Sequence, residues 1–167
     1  MHSDAVETLA TLGNGLEFKP SGIPESGDGL FASRVFTKGT AVTWYDGDLL
    51  FVLKVIGKKN PKVMGEWSHW RSVPEHDLVV RGIRRGSGAF EGRGGGSLAN
   101  HDPSRQNCTF KNSKKTISMF CEDDFQWWQV PVMLIVALQD ISVGDELFLD
   151  YGVSSTAPHE LRVEVLR

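Results

Sequence analysis

The chain has 167 residues, 40% of them apolar and 23% charged, and a net charge of −3. That is enough chain for one domain with a buried core, and its acidic balance speaks against a nucleic-acid binder. No apolar run reaches the roughly 18 residues a membrane-spanning helix needs. The two cysteines form no CxxC or Cys/His cluster, so they read as free thiols and give no structural zinc site.

In chain order, the pattern is mostly short strands between glycine-rich or polar turns. The start lacks the basic and apolar stretches of a secretory signal. Val6, Leu9 and Leu12 fall at helical spacing. Strands are expected at 16–19 (LEFK) and 29–36 (GLFASRVF), the second ended by the turn TKGT. Residues 41–53 (AVTWYDGDLLFVL) read as a hairpin around Asp46-Gly47, a pair suited to a type I′ turn. The stretch 57–62 reads as a turn, and 61–73 as a short helix with Trp67 and Trp70 three apart.

A strand is expected at 76–83, then a hairpin whose arms 107–111 and 116–120 flank NSKK. The most apolar strand runs 127–141, with Pro131 marking an edge or a bulge. A tight turn, SVGDE (142–146), leads into LFLDYG (147–152). The tail has Ser155 or Thr156 as a helix cap, Pro158 in the first turn and apolar residues at 161, 165 and 166. The fold class is therefore mainly β, one domain, with few short helices.

Three segments carry chemistry. Gly27-Asp28-Gly29 precedes a strand, where glycines allow a left-handed backbone or a close approach to a ligand. Asn100-His101 follows a glycine run, with Asn107 six positions after the histidine. Gly144-Asp145-Glu146-Leu147 leads into Asp150-Tyr151-Gly152. Taken singly, these read as a turn, a polar loop and a core tyrosine.

In this order, and with Tyr45-Asp46-Gly47 between the first two, they resemble the SET-domain family of protein lysine methyltransferases. The resemblance spans roughly residues 15–152. The chain's two tyrosines, Tyr45 and Tyr151, both stand where that family places its active-site tyrosines.

The resemblance implies small curved β-sheets with a C-terminal pseudoknot, in which the Asn-His and Asp-Tyr segments pass through each other. It implies a domain at 15–152 with a variable insert at about 54–92. Residues 1–14 would form an N-terminal extension, and 153–167 would stand in place of a zinc-binding C-terminal module. The implied cofactor is S-adenosyl-L-methionine, released as S-adenosyl-L-homocysteine. Its cradle would be Gly27, Asp28, Gly29, Leu30, Asn100, His101 and Tyr151. Tyr151 and Tyr45 would be the catalytic residues. Tyr45, Phe110, Phe148 and Leu149 would line the lysine channel, with core packing an equal reading for Phe110 and Phe148.

The implied substrate is a basic protein or peptide such as a histone tail, with no direct nucleic-acid or membrane contact, and nuclear placement follows from the family alone. No metal site is expected. The tail 153–167 lacks the aromatic residue that closes the channel elsewhere in the family, so closure would fall to Leu161, Val165 or Leu166, to a second copy or to a partner protein. The competing reading is a catalytically idle SET-like module that binds cofactor or peptide without turnover.

The chain also departs from the family pattern. After His101 it reads DPSRQN where SCxPN is usual, one residue longer and without the zinc-ligating cysteine. Ser97 stands where an arginine is frequent. Leu149 replaces a Phe or Tyr two positions before Tyr151, which favours adding more than one methyl group. Trp67, Trp70, Glu66 and Glu75 of the insert read as a peptide groove or a satellite core. Glu122, Asp123 and Asp124 read as a basic-peptide contact or a solvated turn.

Overall fold

Alternating burial and long apolar runs make this chain pair strands wherever backbone partners exist. The computed structural model describes residues 14–45, 47–51, 70–73, 78–82, 95–121 and 123–151. β1 (Leu16–Pro20) and β2 (Asp28–Ala32) form an antiparallel pair from Leu16↔Ala32 to Pro20↔Asp28. Their connection is pinned by Ser21 N donating to Gly27 O at 2.9 Å.

The second sheet is built on two long strands. β8 (Cys108–Cys121) pairs with β9 (Gln126–Ala137) from Cys108↔Ala137 to Cys121↔Gln126, with one interruption. β9 buries Val130, Val132, Met133, Ile135, Val136 and Ala137, so it sits centrally and recruits neighbours. On its far side it pairs with β3 (Ala41–Trp44). Beyond β8 come β4 (Gly47–Phe51), β6 (Leu78–Gly82) and β5 (Trp70–Ser72), giving the order β3-β9-β8-β4-β6-β5.

This order corrects three expectations. Residues 41–53 do not form a hairpin: β3 lies against β9 while β4 pairs with β6 and, at Leu49↔Cys121, with β8. The apolar β8–β9 pair offers an edge on each side, and separating the two arms covers both. Nor do 107–111 and 116–120 face each other, because 112–115 is part of β8 and β9 supplies partners to both halves. The register shifts between Asn112↔Met133 and Thr116↔Pro131, so three residues of one strand (113–115) oppose one of the other (132) and Pro131 stands at the irregularity. Finally, Trp70–Ser72 is strand, not the end of a helix over 61–73.

The second expected strand is shorter too: β2 ends at Ala32, and Phe36 rejoins only through an isolated bridge to Ile141. The helix patterns at 4–12 and in the tail lie outside the described residues, as do Asp46, Glu66, Trp67, Glu75 and Glu122.

Two apolar clusters result. One gathers Leu30, Ala32, Phe36, Val42, Ala99, Cys108, Ile135, Ile141, Leu147 and Leu149; the other Tyr45, Leu49, Val73, Leu78, Val80, Cys121, Val130 and Met133. Phe110 packs against both and Tyr151 against the first. Both thiols are free and buried, and desolvation pushes them up, Cys108 to about 12.

Candidate functional site

The two short strands β7 (Asn100–His101) and β10 (Phe148–Leu149) run parallel, Phe148 beside Asn100 and Leu149 beside His101. β10 also meets β8 at Leu149↔Cys108. The segment 146–150 therefore passes between 100–102 on one side and 107–108 on the other. Asp102 N donates to Leu149 O at 3.1 Å and Asn107 N to Phe148 O at 3.2 Å. This is the threaded crossing expected of the Asn-His and Asp-Tyr segments.

Asn107 holds the crossing with its side chain. Its Nδ2 donates to Glu146 O at 2.8 Å and its Oδ1 accepts from Phe148 N at 2.9 Å. The amide thus adds a donor-acceptor pair beside the backbone bond from Asn107 N to Phe148 O.

Glu146 is the second anchor. It is 8% exposed, and its carboxylate accepts from Ser21 Oγ (2.5 Å), Gly22 N (2.8 Å) and Asn100 Nδ2 (3.0 Å). Asn100 Nδ2 also reaches Asp28 O at 3.3 Å. One carboxylate so ties the 21–27 connection, β2 and β7 together. The two glycines of the GxG pattern serve this arrangement differently. Gly27 has φ 75°, a left-handed conformation that side chains disfavour, with open space around it. A Cβ on Gly29 would instead collide with the Glu146 carboxylate and stand 3.0 Å from Asn100 Nδ2.

The glycine run before Asn100 has a steric cause as well. Gly96 begins a 3-10 turn (Gly96–Leu98), and a Cβ there would stand 2.7 Å from Trp44 O. That close passage delivers the Ala99 carbonyl to the site, where Tyr151 Oη donates to it. Tyr151 is fixed at its other end too: its N–H donates to His101 Nδ1 at 3.1 Å, and the two rings stack with centroids 5.1 Å apart. The same Nδ1 stands 3.2 Å from Leu149 O, so whether it accepts from Tyr151 N–H or donates to that carbonyl depends on the ring's tautomer.

Tyr151 lies 6.4 Å, centroid to centroid, from Phe110, and Phe110 stands edge-on to Tyr45 at 5.9 Å. These three rings from three distant segments form one aromatic wall between the two apolar clusters. Phe148 and Leu149 are both buried. Arg105 lies over the Phe148 ring at 4.4 Å, and Leu149, like Leu30, is wholly buried in the first cluster. Asp28 and Gly29 meet Asn100, while the Tyr151 ring has His101 as one neighbour and Phe110 as another.

The longer loop after His101 closes on Asp102. Its Oδ1 accepts from Ser104 N (3.0 Å), Ser104 Oγ (2.6 Å) and Arg105 N (3.2 Å), and its Oδ2 from Arg105 Nε (2.6 Å). The Ser104 hydroxyl first and the Arg105 guanidinium next hold its carboxyl at about 2. This turn orders the loop from within its own residues. Among the described residues no group of three or more His, Cys, Asp or Glu could hold a metal ion.

The family model for the SET domain matches residues 27–152, most of the chain. The chain belongs to the SET-domain family. Its mainly β fold is that of a SET domain. Two solved structures of Polycomb repressive complex 2 from Chaetomium thermophilum are similar in fold. One, in an autoinhibited conformation bound to S-adenosylmethionine, has TM-score 0.57 at 19% identity and covers 90% of this chain. The other has TM-score 0.55 at 20% identity and covers 85%. This SET domain spans 16% of the length of each matched chain. No curated protein matches the sequence.

Reading the sequence missed Glu146 as more than part of a turn, although an acidic residue there that is flanked by buried Leu147 was the available signal. It also missed the Ala99 carbonyl, which no residue pattern announces, while the Asp102 turn is of the Asx kind that a polar loop there suggests.

Proposed function

We propose that this SET domain is an S-adenosylmethionine-dependent protein-lysine N-methyltransferase acting on a basic protein or peptide such as a histone tail, and that it works in the nucleus. The observation that carries the reading is the Tyr45–Phe110–Tyr151 wall abutting the Asn100–His101 strand. One similar structure is bound to S-adenosylmethionine, which supports the cofactor. The residues fit that group: Asn100 Oδ1 accepts no hydrogen bond among the described residues, while its Nδ2 is fully engaged. The same side-chain amide reaches the Asp28 carbonyl and stands against Gly29 of the glycine-flanked segment.

S-adenosylmethionine, when bound, supplies the methyl group from its sulfonium. The chain's residues prepare the amine. A lysine of pKa about 10.4 is neutral only about one part in a thousand near pH 7.4, a penalty of about 4 kcal/mol. Tyr45, which is 2% exposed, and Phe110 exclude water and disfavour the ammonium. The Tyr151 hydroxyl donates to Ala99 O, and in this reading its oxygen accepts an amine N–H. Tyr151 thus orients the amine and leaves deprotonation to solvent. Orientation of this kind contributes roughly 7–11 kcal/mol in favourable cases, more than the ionisation penalty.

Labelled-methyl transfer onto core histones, with donor binding by calorimetry, tests the reading. Tyr151→Phe should lose transfer by at least about a hundredfold while donor affinity stays within about threefold. Near-normal turnover in that variant would remove Tyr151 from the mechanism. Donor binding without transfer to any basic protein would favour the idle-module reading.

A further inference from the structure

The amide of Asn100 has a defined orientation, and the reason lies in a residue the mechanism does not otherwise use. Two acceptors, Asp28 O at 3.3 Å and Glu146 Oε1 at 3.0 Å, face the same side-chain nitrogen. Turning the amide over would set Oδ1 against both oxygens. Glu146 is itself held by neutral donors: the Ser21 hydroxyl, the Gly22 amide and Asn100. Those donors fill both carboxylate oxygens and fix its rotamer. The carboxylate therefore decides which atom Asn100 presents outward, and that atom is an oxygen.

S-adenosylmethionine carries two positive groups, a sulfonium and an α-ammonium. Of these two, only the ammonium has N–H donors that can meet an acceptor oxygen. We propose that Glu146 is a positioning residue for the methyl donor: by binding Asn100 Nδ2 it turns Asn100 Oδ1 to receive the donor's α-ammonium. This rests on the cofactor reading above. Glu146→Gln inverts the arrangement while keeping the side chain's size. The Gly22 N–H needs an oxygen, so the new NH2 faces Asn100 and the outward atom becomes a donor, which repels an ammonium.

The test is calorimetric titration of the full chain with S-adenosylmethionine and with its analogue lacking the α-amine. Four proteins are compared: wild type, Glu146→Gln, Asn100→Ala and the double variant. A hydrogen bond to a charged group predicts a roughly ten- to hundredfold loss of donor affinity in Glu146→Gln. The deaminated analogue should change by less than about twofold. The double variant should bind no more weakly than Asn100→Ala, because the two residues act through one contact.

Equal losses for both ligands, or additive losses in the double variant, would show that Glu146 only supports the fold and overturn the proposal. If Glu146→Gln does not fold, Ser21→Ala removes one donor from the same oxygen. It should weaken the amine-bearing donor by roughly two- to tenfold and leave the analogue unchanged; equal weakening again overturns it. Wild-type protein that binds no donor overturns the cofactor reading and this inference together. Donor binding without methyl transfer overturns the activity alone.

Discussion

Asn107→Ala probes the threaded crossing most directly. Asn107 is 7% exposed, and its amide supplies one acceptor to Phe148 N at 2.9 Å and one donor to Glu146 O at 2.8 Å. Alanine leaves that buried N–H and C=O without side-chain partners. Each unsatisfied group costs about 1–3 kcal/mol, so the pair costs about 2–6, toward the low end where water enters the gap. For a chain of this size, each kcal/mol lowers Tm by roughly 2–4 °C, which predicts a fall of about 5–20 °C. Thermal melts and urea titrations with unchanged m-value measure this directly.

Asn107→Asp sharpens the test. One oxygen can still accept from Phe148 N–H, but an ionised carboxylate would set the other against the Glu146 carbonyl. The variant should be at least as unstable as alanine at pH 7, and should recover as the pH falls and the protonated carboxyl becomes a donor to that carbonyl. An alanine variant within about 0.5 kcal/mol of wild type would refute the reasoning, because the crossing would then be held by backbone pairing alone.

The remaining predictions concern the glycines and the thiols. Gly29→Ala should weaken donor binding by at least about tenfold, because its Cβ displaces Glu146 from Asn100, whereas Gly27→Ala should cost about 1–2 kcal/mol of stability through its left-handed φ of 75° and change binding less. Paired calorimetry and melts separate the two, and equal binding losses would contradict the collision. Cys108 should resist iodoacetamide at pH 8 in the native state and react in denaturant. Its folded thiol, raised to about 12 by desolvation, keeps its proton where the unfolded thiol ionises near 8.5. Stability should therefore be full below about pH 8.5 and decline as pH rises toward 12; an alkaline limb that stays flat in urea midpoints would contradict the burial.

Much of the site could be read in one dimension because its chemistry sits in short runs. Gly27 to Gly29, Asn100-His101 and Asp150-Tyr151 are each contiguous, and their order marks the family without knowledge of any contact. Strands with strong apolar runs, such as β9, were equally visible, and Pro131 announced its irregularity. Pairing partners were not. A turn-like Asp46-Gly47 promises a hairpin only if no better partner competes, and the β8–β9 pair competed on both sides. The polar stretch 112–115 looks like a turn by composition, but β9 pairs with the strand on both sides of it and carries it along.

Among candidate residues, alternation within β10 settled what composition could not. Phe148 and Leu149 are adjacent, so their side chains leave on opposite faces, one to Arg105 and the other to the core. Phe110 reached the tyrosines because it lies between the two clusters. Glu146 gained its role from Ser21 and Asn100, 125 and 46 residues away in sequence.

The sequence by itself determined the family, the β-rich class, the presence of two tyrosines and the loop without its zinc-ligating cysteine, because each is a property of local residue order. Tertiary structure decided the strand partners, which aromatics meet, and which way Asn100 points. Those depend on competition between distant segments for the same backbone edges and hydrogen-bond donors, and a linear pattern does not encode its outcome.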